Sequence, residues 1–212
     1  MPTSAPTVSS NGTSIAFDDE HFAPQRDSTG LLGDPAALRD RYDADGYLRL
    51  RGVLDPRSLR RLRAAYFSQF DPGYLAPGSD PADGLFSGWR PTMAAHGTAG
   101  HPAHGFVRSD DFLTFCASPA LEALAVVLLD GPVVQLPRRI LRHFDRSRPR
   151  ASRAHTDFTY LDGGSDRLLT AWVPIGDCPL ATGGLVYLEG SHRLARADLD
   201  LLRARTDRRD DR

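Results

Sequence analysis

A chain of 212 residues, 41% hydrophobic and 8% aromatic, is long enough for one domain with a sizeable core and too short for two comfortable ones. Its net charge of -1 gives no bulk attraction to nucleic acid or to a membrane surface, so neither is expected as a partner. All 26 basic residues are arginine, which, with the abundant Ala, Gly, Pro and Asp, reads as a codon bias and not as a functional signal.

Residues 1–14 are short, small and polar, and disorder is expected there. The first eleven lack the basic and apolar regions of a secretory signal, and no window approaches 18 apolar residues, so a cytoplasmic protein that crosses no membrane is expected. Asp34-Pro35 supplies an N-cap and a proline at the first helical position, Gly46 ends that helix, and 47–53 follows as a strand. Asp55-Pro56 repeats the start signal for a helix through Phe70, whose apolar residues 59, 62, 66 and 70 keep the helical period. The arginines between 57 and 63 fall on its solvated face.

From 71 to 105 five prolines and seven glycines predict a loop, which holds Trp89, His96, His101 and His104. A loop of that length is a substrate-covering segment or a merely exposed one. Helices are predicted over 109–117 and 118–130, the second almost wholly apolar and closed by Gly131, and so expected to pack against a sheet. Strands are predicted over 133–144, 154–159, 168–175 and 185–188. Helices first and strands after is an α+β order. Cys116 and Cys178 form no Cys-x-x-Cys pair, which leaves two buried thiols in a reducing compartment as the expectation.

The chemistry-bearing residues cluster late. His155-Thr-Asp157 places an imidazole and a carboxylate on one face of a strand, two of the three ligands that a facial iron(II) site requires, with the opposite face left for co-substrate and oxygen. His143-Phe-Asp145 has the same spacing, and with 7 histidines in the chain roughly one such triplet is expected by chance, so spacing alone ranks neither. Seven arginines between 138 and 153 surround the approach to His155, either as solvated loop charges or as an attraction for an anionic co-substrate.

Context separates the triplets. His155-Thr-Asp157 is followed by Gly163-Gly164, the Trp-bearing run Ala171-Trp-Val-Pro-Ile175, and Gly183-Gly-Leu-Val-Tyr-Leu-Glu-Gly-Ser-His192. That order, together with the helix and strand over 38–54, resembles the phytanoyl-CoA dioxygenase family of iron(II)/2-oxoglutarate oxygenases across residues 35–195. The resemblance implies a double-stranded β-helix (jelly roll, cupin-like) with an N-terminal helical layer, occupying 15–195. It implies His155 and Asp157 as ligands of Fe(II), 2-oxoglutarate as co-substrate, and a small-molecule substrate. Trp172 would stand beside 2-oxoglutarate or serve as a core residue, and Arg142 is the basic residue placed to contact the co-substrate. Asp157 is the carboxylate that related halogenating enzymes lack, so hydroxylation is implied.

In that family the second histidine ligand and a 2-oxoglutarate-anchoring arginine lie well beyond the Gly-Ser-His segment. Residues 193–212 hold no histidine and no strand-like run, only a short helix and a charged tail over 196–212, so the barrel is expected to be incomplete. Three readings follow: a piece of a longer reading frame, which is preferred; a degenerate protein acting as a binding module without the third ligand; or His192 as the substitute ligand, against its ordinary role as a turn imidazole held by backbone contacts. A cupin-like metal protein with different chemistry would have only Glu189 and His192 to draw on after Tyr187.

Overall fold

The computed structural model describes residues 7–10, 13–89, 91–94, 96–143, 154–157, 167–179, 183–194, 198 and 201. The chain groups into two compact units, one of Met1–Leu50, Ser147–Thr170 and Val186–Arg212, the other of Arg51–Arg146 and Ala171–Leu185.

In the first unit, β1 (Thr7–Ser10) and β2 (Thr13–Ala16) form an antiparallel hairpin in register Thr7↔Ala16 and Ser10↔Thr13, within the segment where disorder was expected. The β-branched Thr7, Val8, Thr13 and Ile15 favour that extended pairing. Helix α1 (Pro35–Asp45) starts as its sequence predicts: the Asp34 carboxylate accepts from the Ala37 N–H at 3.0 Å, and Pro35 occupies the position where no donor is needed. It ends at Gly46, whose φ of 76° is left-handed and whose N–H reaches Tyr42 O at 2.8 Å. Leu38 is its buried residue. Of the strand expected over 47–53, one parallel bridge is present, Asp27↔Arg49, with the Ser28 N–H donating to Arg49 O at 2.8 Å.

In the second unit, α2 (Pro56–Phe67) is capped by Asp55, whose carboxylate accepts from the Arg57 and Ser58 N–H groups. The apolar period holds: Leu62, Tyr66 and Phe70 are buried, Phe70 in the turn that follows the helix. Arg60 stands on the opposite face and its guanidinium forks between Asp80 and Asp83 at 3.0 and 2.9 Å.

The stretch 71–105 is more ordered than its prolines and glycines predict. Single 3-10 turns at Pro72–Tyr74 and Pro81–Asp83 each start at an aspartate-proline pair, and the short helix α3 (Pro102–Phe106) is capped by His101, whose Nδ1 accepts from the Ala103 N–H at 3.1 Å. Tyr74, Ala82, His101 and Ala103 are buried, so these parts of the stretch are core rather than exposed cover. With Leu62, Tyr66, Phe70, Ala103, Phe112 and Leu141, Tyr74 and Phe106 make the hydrophobic cluster of this unit.

Helices α4 (Asp110–Cys116) and α5 (Pro119–Leu129) follow as predicted, but the left-handed residue that closes α5 is Asp130 (φ 46°), one position before Gly131. No residue of α5 is buried, and its expected packing against a sheet is not present among the described residues. Against the expectation that no such window exists, Asp110–Leu129 is long and apolar enough to cross a membrane by length and composition alone. Ala117-Ser118-Pro119 divides it, and the 11 residues of α5 rise only about 16 Å, half of a bilayer core. The cysteines depart from expectation as well: Cys116 is half-buried, its thiol pushed up by that burial, while Cys178 is exposed.

Among the described residues, the β1–β2 pair is the one sheet. Described residues within 133–143, 154–157, 168–175 and 185–188, where strands were expected, carry no ladder pairing; residues 144 and 158–159 of those expected strands lie outside the described set.

Candidate functional site

His155 and Asp157 are brought together. His155 Nε2 lies 3.5 Å from Asp157 Oδ1, and the two side chains are 31% and 42% exposed, accessible to solvent without being loose on the surface. Two donors bound side by side to one ion at about 2.1 Å each would sit about 3 Å apart, so this pair fits a shared cation after a small closing movement. The second carboxylate oxygen is already committed: Thr170 Oγ1–H donates to Asp157 Oδ2 at 2.6 Å, in the range of a charge-assisted bond. Among the described residues no set of three His, Cys, Asp or Glu side chains converges as a metal cluster.

Tyr187 belongs to the same unit as this pair. Its ring stacks on Tyr47 with centroids 5.3 Å apart and planes 5° from parallel. Burial, then the Asp157 carboxylate, then the Tyr42 phenol push the Tyr187 hydroxyl above its ordinary range. Neither Thr170 nor Tyr187 was singled out from the sequence. Thr170 carried one signal, being the polar interruption in the apolar run 168–175.

His192 is engaged elsewhere. Its Nε2–H donates to Asp43 O at 3.2 Å, and Arg193 donates to Ala44 O at 2.8 Å, so the turn Ser191–Arg193 covers the last carbonyls of α1. This is the backbone-held turn imidazole, and substitution of His192 as third ligand finds no support in it.

The competing triplet also resolves in part. Both ring nitrogens of His143 face phenols, Nδ1 toward Tyr66 OH at 2.8 Å and Nε2 toward Tyr74 OH at 3.0 Å, inside a cluster of Phe67, Phe70 and His101 rings. With one phenol donating and the other accepting, or with both accepting from a protonated ring, no lone pair is left for a metal. Asp145 lies outside the described residues.

Trp172 and Arg142 belong to the second unit. Trp172 is 44% exposed. Arg142 is exposed and its charge adds to burial in pushing the His96 imidazole down, opposed by a hydrogen bond to the Leu141 backbone. Their part in co-substrate binding stays an expectation of the resemblance.

Comparison with known proteins assigns the lineage. The model of the phytanoyl-CoA dioxygenase (PhyH) family matches residues 42–211, and the chain belongs to that family. It is 31% identical over 180 residues to 1-deoxypentalenic acid 11-beta-hydroxylase of Streptomyces arenae, an alignment covering 81% of this chain and 59% of that protein. With the enzyme of the same name from Streptomyces exfoliatus the identity is 30% over 174 residues, covering 79% of this chain and 58% of the relative. The chain therefore spans a little under three fifths of the length of these relatives. No solved structure matches it.

Proposed function

We propose that this chain serves an iron(II)- and 2-oxoglutarate-dependent hydroxylation of a small molecule, with His155 and Asp157 as two of the metal ligands. The observation that carries the reading is the 3.5 Å approach of His155 Nε2 to Asp157 Oδ1, in a chain of this family whose matched relatives are hydroxylases by name. We further propose that residues 15–195 form the double-stranded β-helix with an N-terminal helical layer that the family resemblance implies.

Iron(II) with 2-oxoglutarate would supply oxygen activation at this site. The chain's own residues bind and aim. A neutral His155 offers Nε2 as a donor, and Asp157 offers a negative oxygen 3.5 Å away that offsets part of the cation's charge. In the same unit Tyr187 stacks on Tyr47, and the Asp157 charge is felt at the Tyr187 hydroxyl.

The test is optical. The protein is mixed in anaerobic buffer with iron(II) and 2-oxoglutarate, and the visible charge-transfer band of the chelate is expected in the wild type and absent in His155→Ala. A wild-type protein that develops no band would overturn the proposal and leave a binding module as its successor.

A further inference from the structure

We propose that Thr170 is a positioning residue that decides which oxygen of Asp157 meets the metal, an inference that rests on the metal-site reading above. Asp157 has two chemically equivalent oxygens and a terminal torsion with a broad, two-fold profile, so an unrestrained carboxylate at 42% exposure would rotate freely between presenting one oxygen and presenting both. The structure removes that freedom. Thr170 Oγ1–H occupies Oδ2 at 2.6 Å, and Oδ1 is the oxygen that faces His155 Nε2 at 3.5 Å. An ionised carboxylate only accepts, so the hydroxyl is necessarily the donor.

The consequence is coordination through one oxygen. A carboxylate that ligates through both oxygens takes two positions on the ion. A facial site needs those positions for co-substrate and oxygen. By holding Oδ2 away, Thr170 keeps Asp157 to one position and fixes its orientation in advance. Thr170 sits 13 residues after Asp157 and touches the carboxylate, not the ion, so it acts through its neighbour.

The experiment measures metal affinity rather than turnover. Mn(II) serves as an oxygen-insensitive probe, titrated by electron paramagnetic resonance into the wild type and into Thr170→Val, Thr170→Ser and His155→Ala. Thr170→Val keeps the branched shape and removes the hydroxyl, and its Mn(II) affinity is expected to fall about 10- to 100-fold. Thr170→Ser, which restores the donor, is expected to return most of that loss, and a circular-dichroism melt on each variant separates weaker binding from misfolding. If Thr170→Val misfolds, Thr170→Ala takes its place, and unchanged Mn(II) affinity in that folded variant overturns the role in the same way. Unchanged Mn(II) affinity in folded Thr170→Val, with binding abolished in His155→Ala, would overturn the role of Thr170 and leave the metal site standing. Equal affinity in His155→Ala and wild type would remove the metal site itself.

Discussion

The imidazole of His192 stands where a side chain at position 46 would have to go: a Cβ on Gly46 would lie 2.4 Å from His192 Cγ and Nδ1. Glycine is therefore required twice, once for its φ of 76° at the end of α1 and once for the close approach of the ring that reaches Asp43 O.

Gly46→Ala is accordingly expected to cost more than the about 1–2 kcal/mol that a left-handed alanine costs alone. Gly33→Ala is the control, since Gly33 also has a positive φ (99°) but a Cβ there meets nothing within 4 Å. Chemical denaturation of both variants should show Gly46→Ala as the more damaging, and adding His192→Ala should recover part of the difference. Equal losses at 33 and 46 would mean that the His192 contact carries no energy.

Alkaline pH should expose the Tyr66–His143 contact. Burial first, and then the neighbouring Tyr74 phenol, push the Tyr66 hydroxyl well above its usual value near 10. Between pH 10 and the raised native value the unfolded chain has released this proton and the native one has kept it, so stability is intact below about pH 10 and falls as pH rises above it. Tyr66→Phe should flatten that fall in denaturation curves taken across the alkaline range, and should remove a late-titrating component of the 295 nm phenolate absorbance. An unchanged alkaline slope in the variant would disprove the assignment.

The two aspartate caps make different predictions at the two ends of the acid range. Asp34→Ala removes the acceptor for the Ala37 N–H and should lower stability by about 1 kcal/mol at neutral pH. Asp55 is held below the usual carboxylate range by the Arg57 backbone N–H first and the Ser58 hydroxyl next. Its contribution is therefore present above about pH 4 and lost as the pH falls through the lowered native value. Asp55→Asn keeps an acceptor for the cap but has no proton to bind, so its stability profile between pH 2 and 5 should be the flatter of the two.

The helices were legible because their instructions are local. Asp34-Pro35, Asp55-Pro56 and Gly46 act on backbone groups within four residues, and the structure ends or begins a helix at each. The stretch 71–105 was not legible in the same way, because prolines and glycines break long helices but say nothing of where Tyr74 and His101 bury their rings. The pair His155–Asp157 could be proposed from spacing, yet spacing gave His143 equal standing; two tyrosines 69 and 77 residues away distinguish them, and no local pattern encodes such a contact. Thr170 was hidden for a related reason, since its partner is set by how a chain segment returns on itself and not by either residue's neighbours.

The clasp of Ser191–Arg193 over the carbonyls of Asp43 and Ala44 joins positions 149 residues apart. At about 5–20 residues per second on a ribosome, α1 emerges roughly 10–30 s before the turn that covers its end exists. For that interval the helix depends on local features such as the Asp34 cap, Pro35 and Gly46, which gives these strong local signals a purpose in time: they hold the nascent helix until the late turn arrives.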